Sequence, residues 1–205
     1  MKRALKVLER LDRDYSWNAW QPKNAFRALV ATMLSAQCTD AQVEKVLPAL
    51  FKRFKTPTDF ANAKTRELEK LIRSTGYYKV KAKRLKAMSR VLLEQHAGRV
   101  PDSMQALVNL PGVGRKTANI VLEHSFNKVE GIAVDTHVWR LSHRLGFSEK
   151  NTQWGIESDL MAALPHSWWA RANTLLIMHG RAVCKARNPK CCGCCVSRYC
   201  PYARV

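Results

Sequence analysis

Three features of the 205-residue chain predict an all-α protein. Apolar residues recur at three- and four-residue spacing through most of its length. No run of alternating apolar and polar residues separated by hairpin turns competes with that period. The breakers Pro22, Pro57, STGYY at 74–78, GRVPDS at 98–103, PGVG at 111–114 and Pro165 all fall between the periodic segments. With 46% hydrophobic residues the chain can bury a real core, and its length suits one or two domains.

The first element, MKRALKVLERLDRDY, reads as an amphipathic helix over 3–12. It lacks the apolar core of a secretory signal, and Glu9, Asp12 and Asp14 set it apart from an organelle-import segment. No window approaches the roughly 18 uninterrupted apolar residues of a membrane helix, so the expectation is a cytoplasmic protein with no membrane partner. Helices follow over 24–35, 40–53, 57–62 and 65–73, then over 80–96 behind STGYY and 103–109 behind GRVPDS. The next is predicted over 115–124 behind PGVG, and another over 136–145 behind Asp135, which is placed to cap it. Helices over 152–163 and 167–182 complete the set. In the last, Trp168, Trp169, Leu175, Leu176 and Met178 recur at helical spacing and read as core. There is no usable internal repeat or low-complexity tract, and the pattern leaves open whether these helices form one bundle or two.

The formal charge of +19 comes from 35 Lys+Arg against 16 Asp+Glu, is spread along the chain and gives a pI near 10.0. A polyanionic partner is expected. The stretch YKVKAKRLK concentrates Lys79, Lys81, Lys83, Arg84 and Lys86. If several meet phosphates, affinity should fall by roughly 0.9 log units per phosphate neutralised per log unit of salt.

Two stretches carry chemistry. In LPGVGRKTAN, residues 110–119, Gly112 and Gly114 permit positive φ and close backbone approach around Val113, while the following helix opens on N–H groups and a partial positive charge. Such a turn, with Arg115 beside it, can hold a phosphate oxygen through backbone alone, although a plain helix–helix turn has the same composition. In the second stretch, six of the seven cysteines fall within 184–200, and a reducing compartment disfavours disulfides there, which points to a metal. The register Cys184-x6-Cys191-x2-Cys194-x5-Cys200 suits zinc or iron–sulfur equally on spacing, and Cys192-x2-Cys195 forms a second CxxC pair.

LPGVGRKTAN closely resembles the helix-hairpin-helix of DNA repair glycosylases. SAQCTD at 35–40, IAVDTHVWR at 132–140 and the terminal cysteines match the endonuclease III branch in order and approximate spacing, over about residues 20–203. The resemblance implies two helical domains: a six-helix barrel over 18–129 with the helix-hairpin-helix, and an iron–sulfur cluster domain built from 1–17 and 130–205. It also implies a groove between them with Lys116 opposite Asp135. It assigns a [4Fe–4S] cluster to Cys184, Cys191, Cys194 and Cys200; Lys185, Arg187 and Lys190, inside the first cysteine loop, point to a metal that holds a basic loop in shape for the phosphate backbone. The expected partner is double-stranded DNA with damaged bases or abasic sites, met by a monomer.

By the same resemblance, the protein is a base excision repair glycosylase with AP lyase activity on oxidised pyrimidines. Lys116 attacks C1′ and forms a Schiff base, and Asp135 is the catalytic aspartate. Only about one free lysine in 10³ is neutral near pH 7, and an ammonium cannot attack, so the site must favour the amine. An ionised carboxylate would do the reverse. The coherent role for Asp135 is to stabilise positive charge developing on the sugar and to take up a proton. Extruding a nucleotide leaves a hole, and the resemblance places the plugs at Gln37 and at the residue after Gly76. That residue is Tyr77, where many members carry an aliphatic wedge. A same-fold glycosylase with another lesion preference and a damage-binding paralogue with weak catalysis are the competing readings.

Overall fold

The computed structural model describes residues 2–16 and 24–203. The breaker Pro22 and the expected domain boundary at 17/18 lie outside the described residues. The regular structure described is helical, with no strand among those residues. The α-helices are α1 (Lys2–Asp14), α2 (Ala25–Leu34), α3 (Asp40–Arg53), α4 (Pro57–Asn62), α5 (Thr65–Ile72) and α6 (Tyr78–His96). After them come α7 (Met104–Val108), α8 (Arg115–Phe126), α9 (Thr136–Arg144), α10 (Gln153–Ala163) and α11 (Trp169–Ala182). The chain divides into two compact units, Trp20–Lys128 and Met1–Ala19 with Val129–Val205.

Local chemistry sets most of the boundaries. Asn24 caps α2 by accepting from the N–H groups of Phe26 and Arg27, and Thr39 caps α3 through Gln42. At α4 the capping is reciprocal. Asp59 takes hydrogen bonds from the N–H groups of Lys55 and Thr56 while Thr56 Oγ1 accepts from Asp59 N, and these bonds hold the Asp59 carboxyl below its usual range. Pro48 lies inside α3 but on its exposed side, where its ring removes one helical donor. α6 ends in the left-handed pair Ala97 and Gly98, whose N–H groups reach back to Leu92 O.

Trp20–Lys128 carries seven α-helices among the described residues, two of them six residues or shorter, where the resemblance implies a barrel of six. Its core is centred on the rings of Phe26, Phe51, Phe54 and Phe60, with Phe60 and Phe26 edge to face at 5.2 Å. Leu29, Leu85, Val121 and Leu122 extend that core to the helices that carry the hairpin. In the other unit α1 packs with α9, α10 and α11 around Leu8, Leu11, Leu141, Ile156, Leu160 and Leu175. Leu175 and Leu176 are buried as expected, with Trp168 and Trp169 packed at the edge. Met178 is only half-buried; the fully buried place beside it belongs to His179.

Candidate active site

The hairpin between α7 and α8 is tied down from inside. Leu110 N–H donates to Leu107 O and Val113 N–H to Leu110 O, and the side chains of Leu110 and Val113 are buried. Gly112 adopts φ +82°, and a Cβ there would stand 2.8 Å from Arg84 Cδ, so both conformation and packing require glycine. Gly114 differs from the sequence expectation: its φ of −96° suits any residue, and a Cβ would meet open space. It bares the backbone where α8 begins. No side chain caps α8, whose first backbone bond is Ala118 N–H to Gly114 O, and Lys116 sits half-buried at its second position. Val113, whose N–H is committed within the turn, serves this loop as an anchor rather than as a donor.

Two further turns of the same unit face the hairpin across a cleft of about 270 Å³. One follows α2 and carries Gln37; the other follows a 3₁₀ turn over Arg73–Thr75 and carries Tyr77. Both residues are in the left-handed region, Gln37 at φ 52° and Tyr77 at φ 47°, and both are exposed. Left-handed backbone at a non-glycine residue is uncommon and clusters where a fold holds a side chain for use. Gly76 before Tyr77 lies at φ 69°, ψ 155°, a combination open only to glycine. Val80 stands one turn after Tyr77, 47% exposed, and lines the cleft with Arg84, Leu85, Gly112 and Thr117. It is an apolar contributor that the basic stretch concealed.

The basic stretch on α6 is not one face. Lys79, Lys83 and Arg84 are exposed. Lys81 is 7% exposed and donates to Leu34 O and Thr75 O at 2.7 and 2.8 Å, and Lys86 donates to Ala63 O. Those two cations are committed inside the unit, which lowers the number available to phosphates. Burial pushes the Lys81 ammonium below the usual lysine range.

In the other unit Asp135 is the N-cap of α9: its Oδ1 accepts from the N–H groups of His137 and Val138, both at 2.8 Å. Burial holds the His137 imidazole below its usual range, against the opposing pull of Asp135. Gln153 and Asn173 fix the segment leading to Asp135 by donating to Val134 O and Ala133 O.

The cysteine loop follows α11. Cys184, Cys191, Cys194 and Cys200 line one narrow cavity together with Leu141, Leu145, Val183 and Val196, whereas Cys192 and Cys195 do not line it. Cys192 is exposed on the loop's outer side, and Cys195 pairs with Asp14; burial and that carboxylate push its thiol up to about 12. Among the described residues no three Cys, His, Asp or Glu side chains converge on a single-ion position. Three residues outside the cysteine pattern brace the loop. Arg144 donates to Cys184 Sγ at 3.4 Å and to Lys185 O and Ala186 O, and Arg140 donates to Cys184 O and Gly180 O. His179, whose pKa burial pushes down to about 4, lies with Nδ1 3.0 Å from Tyr15 Oη and Nε2 3.4 Å from Cys194 Sγ. Lys185, Arg187 and Lys190 are exposed around the loop.

Comparison with known proteins accounts for this combination. Residues 30–166 match the family model of the HhH-GPD superfamily base excision DNA repair proteins. Endonuclease III of Synechocystis sp. is 48% identical over 86% of this chain and 81% of its own, and that of Thermotoga maritima 40% identical over 98% and 92%. A trapped endonuclease III–DNA covalent intermediate superposes with a TM-score of 0.92 at 38% identity, covering 99% of this chain and 97% of that one. A thermostable thymine-DNA glycosylase shares the fold at a TM-score of 0.86 and 24% identity. The chain is therefore a member of the endonuclease III family within the HhH-GPD superfamily, a base excision repair DNA glycosylase.

Proposed function

We propose that this glycosylase is bifunctional, releasing oxidised pyrimidines from duplex DNA and then cutting the strand 3′ to the resulting abasic site. The observation that carries the reading is Lys116 at the second position of an uncapped helix, directly after the Gly112–Gly114 turn. The turn and the helix start hold a phosphate while the lysine amine, deprotonated, attacks C1′ and the base leaves with the electrons of the glycosidic bond. Loss of a proton from the attacking nitrogen leaves an aminal at C1′; the nitrogen lone pair then expels O4′, which takes up a proton as the sugar ring opens, and a protonated Schiff base remains. Removal of a C2′ proton then breaks the C3′–O3′ bond, and water finally releases Lys116.

Asp135 has two tasks in this scheme. Both cap bonds go to Oδ1, so Oδ2 is the oxygen left to stabilise charge on the sugar and to accept the amine proton. Gln37 and Tyr77 fill the gap left by the extruded nucleotide, and Arg115, Lys185, Arg187 and Lys190 meet the backbone.

The cysteine loop fits a [4Fe–4S] cluster on Cys184, Cys191, Cys194 and Cys200. The four thiols line one cavity and supply a donor set that zinc or an iron–sulfur cluster can take, and the family resemblance carries the choice of the cluster. Bound there, the cluster would act as a cross-link that shapes the loop. Arg144 and a neutral His179 carrying its proton on Nε2 would donate to the sulfurs of Cys184 and Cys194.

A second reading, the same chemistry on a different base, is favoured by one observation: the exposed phenol of Tyr77 stands beside the cleft. Scoring base release from a thymine-glycol duplex separately from scission of an abasic duplex distinguishes them. Both activities, with scission lost in Lys116→Ala, support bifunctional action on oxidised pyrimidines. Scission without thymine-glycol release transfers support to the second reading, and neither activity refutes both.

A further inference from the structure

Resting on the reading of Gln37 and Tyr77 as the residues that enter the duplex, we infer that Lys81 is a positioning residue that locks their two turns into one rigid unit. The geometry is specific. Leu34 ends α2, three residues before Gln37, and Thr75 ends the 3₁₀ turn, two residues before Tyr77. Lys81 Nζ donates to the carbonyl oxygens of both, at 2.7 and 2.8 Å. Each is a carbonyl at a helix end, where intrahelical donors run out and the partial charge is negative. One ammonium therefore satisfies two orphan acceptors on separate segments, which an apolar side chain of similar length cannot do.

Burial makes the link rigid. Lysine is almost never fully buried unless its charge has partners, and Lys81 at 7% exposure is held on the same stripe of α6 as Leu85, Met88 and Leu92. Thr75 is itself buried, and its hydroxyl donates to Ile72 O. Gln42 Nε2, on α3 just beyond the first turn, adds an exposed tie to the 3₁₀ turn by donating to Ser74 Oγ at 2.7 Å. The two plug residues both occupy left-handed backbone, a conformation that persists only when the surroundings impose it. Lys81 supplies that constraint from below the cleft that it also lines. The consequence for the reaction is coupling: Gln37 and Tyr77 enter the duplex at fixed separation, so the orphaned base and the vacated stack are filled in one movement.

The test compares wild type with Lys81→Met, Lys81→Arg and the double variant Gln37→Ala/Tyr77→Ala. The substrates are a duplex containing a lesion and a single-stranded abasic oligonucleotide, which needs no extrusion. The account expects the duplex-to-single-strand activity ratio of Lys81→Met to fall at least about tenfold. Lys81→Arg should recover much of the ratio. The effect of Lys81→Met should largely vanish in the Gln37→Ala/Tyr77→Ala background, and 2-aminopurine opposite the lesion should lose its wild-type fluorescence change. Equal loss on both substrates, or a Lys81→Met effect that adds in full to that of the double variant, overturns the inference. If Lys81→Met does not fold, the ratio and the coupling are read from Lys81→Gln, which keeps an amide NH₂ on a shorter, uncharged side chain and should fall between wild type and the tenfold loss; a wild-type ratio there also overturns it. If Gln37→Ala/Tyr77→Ala itself leaves the ratio unchanged while wild type is active, the reading of the plugs fails, and the inference with it.

Discussion

Glu123 offers a sharp test of the physical account of α8, because its carboxyl lies two turns beyond Lys116 and is largely buried. Burial pushes its pKa from 4.5 up to about 7. Well below pH 4.5 the group is protonated in both states and imposes no penalty. As the pH rises towards 7, the unfolded chain releases its proton first, ionisation favours unfolding, and stability falls; above 7 both states are ionised and the loss is complete. At 1.36 kcal/mol per pKa unit the full difference is about 3 kcal/mol. Glu123→Gln keeps the shape and removes the charge. Its stability should match wild type near about pH 3.5 and exceed it by about 2–3 kcal/mol at pH 8, measured by chemical denaturation at several pH values. Curves for the two proteins that run parallel across this range would refute the reasoning.

Three further outcomes follow from the site. Asp135→Ala should cost about 1 kcal/mol of stability through the missing cap, whereas Asp135→Asn keeps the acceptor and should cost only a few tenths. Both should lose base release to a similar extent, separating the capping and charge roles; thermal melts and single-turnover assays read the two effects. The slope of log affinity against log salt should fall by about 0.9 for each phosphate that Lys79→Ala or Lys83→Ala leaves without its cation, and should not change in Lys86→Ala, whose ammonium is committed to Ala63 O. Visible absorbance and iron content should survive in Cys192→Ser and be lost in Cys194→Ser; the reverse would move the cluster to the other CxxC register.

The helices were legible because the apolar period runs unbroken between the breakers and, at Asp135, agrees with the capping residue; Asn24, Thr39 and Thr56 cap their helices in the same way. α6 starts two residues before its predicted position because its N-cap, Tyr77, is a left-handed residue with no capping side chain, a start that leaves no compositional mark. The hairpin was legible as a motif but not in its detail: composition cannot tell that Gly112 alone needs positive φ while Gly114 needs an open face. The inward turn of Lys81 had a signal that charge counting overrode, since Lys81, Leu85, Met88 and Leu92 share one helical stripe. Arg140, Arg144 and His179 brace the cysteine loop from α9 and α11, more than thirty residues away for the two arginines, and such tertiary bonds have no local pattern to betray them.

The central claim is that Lys116 forms the covalent bond to the sugar. Borohydride reduction of the wild-type protein on an abasic duplex, followed by proteolysis and mass spectrometry of the cross-linked peptide, tests it most directly. The account predicts an adduct on Lys116 that Lys116→Ala does not form. An adduct on the N-terminal amine or another lysine, or full trapping by Lys116→Ala, would contradict it.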